Sequence, residues 1–477
     1  MCSATASLIK SIAILLIALY LQLPALAAGD SQARHAIDCV DRASRKILLK
    51  DIELERFNIE YRKRASVQGR WRGPRYAVSQ IGNNAATMAG LFAAVAVREP
   101  ARKHPLERFY KSDGTTGYRD YKIHPDDLQE TFVPQMVGQL VGAYGSAVEL
   151  GINKYHDRQA RKLGLDHKSA LAKAEAFKEE IELLFEERRK AVVQCSAHLS
   201  PAEVELLAAQ EAVLADLCDL SFHEFVRFYV STRRFRAFQD SLYVLDISKN
   251  WVGAVGNLVA IVGLDKKKPH YVGGAGVCTL ISGTLIAANP LISRGVGKIT
   301  GALALRKAKH LLNDDGARDV DRLEADRNRL AGLLRELGEQ SDVVEQVVGI
   351  DAINHEHSRL CSKKYDLALR ELRQGTRAAT ENVLTGAIVG GTKMTLGICA
   401  MVAGYSSFRR PLRANELLED GSLVYGIGNA VGLADNTRIQ LRNEYERFKN
   451  SRERLLPGQV LDDHLTQLDV LAEKLKQ

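Results

Sequence analysis

Three times along this chain a glycine-dotted apolar segment, a linker carrying basic residues and a second glycine-dotted apolar segment follow one another, and a charged helical stretch comes after each set. The pairs are Tyr76 to Val97 with Phe132 to Val148, Trp251 to Leu264 with Tyr271 to Ser293, and Val383 to Tyr405 with Ser422 to Ala434. A chain so ordered must either bury three apolar hairpins in a common core or place them in a bilayer. The aromatic content is only 6%, beside abundant Leu and Ala, and a pleated half-buried surface selects aromatic and β-branched residues. The expected fold is therefore all-α, with three glycine-rich apolar helical hairpins alternating with long amphipathic, coiled-coil-like helices. The expected order is a signal peptide at 1–28, an amphipathic helix and basic connector at 29–75, apolar hairpins at 76–153, 245–301 and 383–435, charged helical regions at 154–244 and 302–382, and a helical pair at 436–477.

Of the 37 glycines, 24 fall between Gly82 and Gly90, Gly138 and Gly151, Gly253 and Gly263, Gly273 and Gly301, Gly386 and Gly404, or Gly426 and Gly432. Glycine in a water-exposed helix interior costs about 1 kcal/mol relative to Ala, so the concentration needs a compensating cause. Close approach of helices supplies one, because small residues on one face let backbones touch. Candidate packing glycines are Gly82 and Gly90, Gly138 and Gly142, Gly386 and Gly390, Gly428 and Gly432, and the series Gly390, Gly397 and Gly404 at seven-residue intervals.

A membrane-spanning helix needs about 20 mainly apolar residues. Tyr76 to Val97 offers 22 without a charge and Tyr271 to Ser293 offers 23, whereas Phe132 to Val148 has 17 and is borderline. Trp251 to Leu264 with 14, Met394 to Phe408 with 15 and Ser422 to Ala434 with 13 are too short alone. They would need Asp246, Lys249 or Lys393 to lie at the interface or to face other helices. The linkers carry Arg98 to Lys122, Lys266 to Lys268, and Arg409, Arg410 and Arg413. With an exported N-terminus, each would face the cytoplasm, as the positive-inside rule favours. In that topology Cys278 and Cys399 lie at similar depths, which makes their helices candidate neighbours.

The first residues read as a secretory signal, with Lys10 ahead of an apolar run from Ser11 to Leu23, then Pro24 and Ala25-Leu26-Ala27. Its removal takes away one cation and lowers the formal charge from +8 to +7, a small excess among 66 basic and 58 acidic groups. Cys39, Cys195, Cys218 and Cys361 lie in charged helical stretches and are candidates for disulfides, with buried free thiols as the equal alternative. A helix over Pro201 to Leu217 would hold Cys195 and Cys218 about 25 Å apart, too far to pair with each other.

Ser31 to Tyr61 has helical spacing of Ile37, Val40, Ile47, Leu48, Ile52 and Leu54. Leu323, Leu330, Leu337 and Val344 recur every seven residues, as in a coiled-coil seam, while the companion positions Arg327 and Ser341 favour an intramolecular helix pair over a long rod. Leu456-Pro457-Gly458 divides the C-terminal stretch into two helices.

No catalytic signature stands out. Asp351, His355, Glu356 and His357 make the best acid/base or metal constellation, but His355 and His357 point about 200° apart on a helix, so a solvent-facing polar patch is preferred. Glycine pairs at Gly297 and Gly426 lack the spacing of phosphate loops. The basic, aromatic run from Phe222 to Phe238, with Arg227, Arg233, Arg234 and Arg236, fits an amphipathic core helix or a grip on an anionic lipid. The expectation is an exported integral-membrane scaffold or interaction protein, not an enzyme, that uses no cofactor and no metal, binds no nucleic acid, and engages a protein partner or its own copies. The alternatives are a secreted protein whose hairpins insert to form a pore, and a soluble periplasmic all-α domain.

Overall fold

A computed structural model describes residues 35, 37–64, 72–110, 112, 115–120, 122–312, 319–338, 342–405, 411–452 and 456–476, with the backbone alone over 72–73, 107–110, 118–120, 319–321, 342, 358–382, 411–412 and 457. The expected signal peptide, Arg70, Arg409 and Arg410 lie outside these residues. The fold is all-α. Its helices are α1 (37–64), α2 (Arg72–Lys103), α3 (Pro125–Lys162), α4 (His167–Cys195), α5 (Pro201–Asp265), α6 (Pro269–Ala308), α7 (Asp319–Leu337), α8 (Asp342–Tyr405), α9 (Pro411–Arg452) and α10 (Pro457–Lys476). One exception interrupts the first basic linker, where β1 (Leu106–Tyr110) pairs antiparallel with β2 (Thr116–Asp120), Phe109 opposite Gly117.

The last parts of the charged regions 154–244 and 302–382 run without a break into the apolar segments that follow them, as α5 and α8. A capping box opens α5: the Ser200 side chain accepts from the Glu203 N–H, and the Glu203 carboxylate accepts from the Ser200 N–H at 2.8 Å. From there no Gly or Pro occurs before Gly253, so nothing in the backbone stops the helix at Leu217 and it runs 65 residues. Likewise α8 contains no proline and runs 64 residues.

Two bodies result. In the first, α1, α4, the N-terminal half of α5, α7, the start of α8, and α10 form a bundle with an apolar core. Ile47, Leu48, Ile52 and Leu54 are buried beside Phe225, Leu214 and Leu468, and Ile37 and Val40 are buried beside Leu206, Leu330 and Val344. The seven-residue seam packs within the chain, α7 against α5. It is not one helix, because Gly338 at φ 65° ends α7 before α8 begins.

In the second body the three hairpins close into a ring. α2 packs on α3, α3 on α5, α5 on α6, α6 on α8, α8 on α9, and α9 back on α2. Their tips gather at one end, where Arg98, Pro125, Lys267, Pro269, Gly404 and Ala414 line a common cavity. The glycine series every seven residues lies on the α6–α8 seam. A Cβ on Gly404 would sit 2.1 Å from the Gly273 nitrogen, one on Gly397 2.6 Å from the Leu280 nitrogen, and one on Gly390 2.6 Å from the Ala287 nitrogen.

Candidate functional site: the interior of the helical ring

Polarity in the ring is inverted relative to a water-soluble bundle. Val137 and Leu140 of α3, Trp251, Val255 and Leu258 of α5, Ile281 and Leu291 of α6, Ile388, Ile398 and Val402 of α8, and Leu423, Ile427 and Val431 of α9 are exposed on its outside. Asn83, Thr87, Gln139, Asp246, Asn250, Asn257, Asn289, Lys393 and Asn429 are buried. Among the described residues, three helices are long and apolar enough to cross a membrane, within Pro201–Asp265, Pro269–Leu311 and Val383–Tyr405. The α5 segment, too short on its own, qualifies because its helix continues unbroken, and the α8 segment qualifies within Val383–Tyr405 once Lys393 is counted inside the apolar stretch. α2 is not among the three, since Gln80, Asn83 and Asn84 dilute its apolar run.

Two cavities lie inside the ring, each lined by all six of its helices. The one far from the tips, ≈ 200 Å³, is lined by polar side chains centred on Asp246, which is 1% exposed. Asp246 accepts from Asn289 Nδ2 at 2.8 Å and from the Tyr76 hydroxyl, and pairs with Lys249. Asn289 in turn accepts from Ser293 Oγ at 2.9 Å. Asn83 Nδ2 donates to Asn250 Oδ1 at 3.3 Å, which joins α2 to α5. These bonds offset the desolvation of polar groups drawn from three different hairpin helices.

The tip-side cavity, ≈ 360 Å³, has apolar walls from Leu128, Phe132, Ala260, Leu264, Leu396 and Ala400. Gln139, Lys393 and Tyr425 line both cavities and mark the level where they meet. Lys393 is 3% exposed, with its Nζ 5.5 Å from the centre of the Tyr425 ring. Asp246, Lys249 and Lys393, which the sequence placed at an interface or against other helices, thus all turn into the ring.

Most of the candidate packing glycines sit where helices touch. Gly90 would place a Cβ 2.5 Å from the Thr131 carbonyl, Gly138 2.9 Å from the Asn83 carbonyl, Gly142 2.8 Å from Asn250 Nδ2, Gly386 3.1 Å from Pro290 Cγ, Gly428 2.0 Å from Thr392 Oγ1 and Gly432 3.0 Å from Val389 Cγ2. Gly82 has room, with its nearest neighbour at 4.0 Å. Sequence reading overlooked the opposite half of the seam, Gly273, Gly276 and Gly283. The seven-residue step from Gly276 to Gly283 carried the signal.

The thiols of Cys39, Cys195 and Cys218 are free, as in the alternative to the disulfides offered for them. Each packs in an apolar core, and burial beside Asp51 pushes the Cys218 thiol well above its usual value. Cys361 lies among the residues whose backbone alone is described. Cys278 and Cys399 are free as well, and although α6 and α8 are neighbours the two thiols face apart. The Cys278 Cβ lies against Gly256 of α5 and the Cys399 Cβ against Gly421 of α9.

The constellation at Asp351 also needs correcting. His355 and Glu356 are exposed, but His357 is fully buried, because α8 there lies against α1 and α10 and the residue two positions on from His355 faces inward. Its Nε2 meets Asp51 at 2.9 Å and its Nδ1 meets Glu55 at 3.1 Å, while His464 Nε2 meets the other Glu55 oxygen at 3.1 Å. The carboxylates engage opposite edges of one imidazole, so they converge on the ring and not on a shared point where an ion could sit. No group of three or more potential ligands is arranged to hold a metal among the described residues. Burial, more than any neighbour, raises the Asp51 carboxyl. The basic aromatic run resolves into core and surface: Phe222, Phe225 and Tyr229 are buried, and Arg236 pairs with Asp157.

Comparison with known proteins finds no matching family model, no matching curated protein and no matching solved structure.

Proposed function

We propose that this chain is an exported integral-membrane protein whose six-helix ring sits in the bilayer and carries the charged bundle as an extracytoplasmic scaffold for a protein partner or further copies of itself. The observation that carries this reading is the apolar outer belt around a polar interior. In water that arrangement exposes a large continuous apolar surface, whereas in lipid the belt is solvated and the buried Asn, Asp and Lys face one another. The ring tips, with Arg102, Lys103 and Lys266 to Lys268, then lie on the cytoplasmic side.

A soluble domain would need the belt covered. A pore-former that is soluble before insertion would need its hairpins folded inward, and here their apolar faces already point out. No catalytic activity is proposed. Alkaline carbonate extraction of membranes from cells expressing the untagged chain tests the reading: retention in the pellet is the expected result, and release into the supernatant would overturn it.

A further inference from the structure

We propose that the tip-side cavity is a binding site for a small organic anion with an apolar body, of the class of a medium-chain carboxylate, its head group on Lys393. The inference rests on the ring itself and does not require the membrane reading.

The cavity's size falls in the range of small-ligand sites, roughly 300–1,000 Å³, at ≈ 360 Å³. Its walls are mostly apolar, and its charged lining residues, Arg98, Lys267, Lys268 and Lys393, are all basic. Deep inside, Lys393 pairs with no carboxylate among the described residues and stands near the like charge of Lys249. A buried cation without a counter-charge is unfavourable, and an entering anion would relieve it.

Nearer the tips, Arg98 is 3% exposed. It donates through Nη1 to the Ala94 carbonyl of its own helix at 3.0 Å and leaves Nε without a partner. Glu419 is the closest opposite charge to Arg98, and it accepts from Arg102 at 3.3 Å. Arg98 is thus partly compensated and Lys393 is not, which places the head group at Lys393 and Arg98 on the entry path behind Lys267 and Lys268.

Arg98 stands 5 residues before the tip end of α2 and Lys393 12 before that of α8. The two helices run the same way, so the two cations differ in depth by about 10 Å at 1.5 Å per residue. That interval is walled by Phe132, Ala260, Leu396 and Ala400. It suits an apolar body and not an inorganic anion.

The test uses the full chain in lipid nanodiscs, or in buffer if carbonate releases it, with decanoate as probe and isothermal titration calorimetry against empty discs. One decanoate per chain is expected. Affinity should fall at least tenfold in Lys393→Met, recover in Lys393→Arg, fall severalfold in Arg98→Met, and be lost when decanol replaces decanoate. Equal binding of decanol, equal binding of phosphate, unchanged affinity in Lys393→Met, or no binding at millimolar decanoate would each overturn the proposal. Should Lys393→Met fail to fold, reductive methylation of the unaltered chain gives the answer. Decanoate should protect Lys393 more than fivefold by peptide mass spectrometry, and absence of protection overturns the assignment.

Discussion

Adjacent glycines of α8 should respond in opposite ways to one added methyl group. A Cβ on Gly390 would lie 2.6 Å from the Ala287 nitrogen, 2.7 Å from the Gly283 carbonyl oxygen and 2.8 Å from the Ala287 Cβ, whereas one on Gly391 would meet nothing within 4 Å. Non-bonded carbon contacts are comfortable at about 3.5–4.0 Å, so Gly390→Ala forces α6 and α8 roughly 1 Å apart at this level, and neighbouring contacts along the seam lose part of their dispersion energy. Two of the three obstructing atoms are backbone and cannot swing aside. Overpacking of this kind costs about 1–3 kcal/mol. Gly391→Ala meets no obstacle and gains up to about 1 kcal/mol from reduced backbone freedom. The same gain applies at 390, so the two variants should differ by the overpacking cost of about 1–3 kcal/mol, with Gly390→Ala the weaker. Denaturation of the purified chain, followed by far-ultraviolet circular dichroism and compared at matched lipid and detergent, reads the difference. Gly397→Ala, facing the Leu280 nitrogen at 2.6 Å, should behave like Gly390→Ala. Equal stability of the Gly390 and Gly391 variants would refute the seam.

His357→Phe should destabilise the charged bundle by about 3–5 kcal/mol, the cost of leaving buried carboxylates without their partner, because it strips both Asp51 and Glu55 of a contact within 3.1 Å; a loss under 1 kcal/mol in denaturant unfolding contradicts the network. Burial, with help from Arg233, lowers the His167 imidazole from 6.5 to about 4 while its Nδ1 meets the Tyr61 hydroxyl at 2.6 Å. Its folded value is the lower one, so the unfolded chain takes up the proton first. Stability is full above about 6.5 and declines as pH falls toward 4. His167→Gln should flatten that acid limb of a melting-temperature profile, and an unchanged limb counts against the assignment. Ser200→Ala should cost about 1 kcal/mol by opening the capping box of α5, readable in the same unfolding assay. A variant retaining only Cys278 and Cys399 should form no intramolecular disulfide on oxidation, since the thiols face α5 and α9, and efficient cross-linking would contradict the way α6 and α8 are turned about their axes in the ring.

Helix content and the break at Pro457 were legible because each rests on a local signal: few aromatic residues beside abundant Leu and Ala, or a Pro-Gly pair. What sequence could not give was which polar residues turn inward. Periodicity assumes that the apolar face is the buried one, and in the ring the rule is reversed, so Asn83, Asn257 and Asn289 read as imperfections in apolar segments. In the bundle the rule held for α1 and α10. It failed at His357, where two carboxylates one turn apart on α1, Asp51 and Glu55, met a histidine some 300 positions away in the chain. The strands of the first linker were missed for a similar reason, since five-residue strands carrying Arg, Glu and Asp lack an apolar alternation.

The two long helices explain why the bundle and the ring belong to one structure despite opposite rules of burial. α5 carries Leu214 and Phe225 in the bundle core and then Asp246 and Asn250 in the ring interior, with no Gly or Pro before Gly253 to absorb a bend. α8 does the same with His357 and Lys393, which stand about 54 Å apart along its axis at 1.5 Å per residue. A helix of that length buried at both ends fixes the rotational register of each body relative to the other. The residue facing the core near position 357 therefore dictates which residue faces the ring interior near 393. On this argument the position of Lys393 in the ring is set as much by the buried contacts of His357 with Asp51 and Glu55 as by the glycine seam beside it.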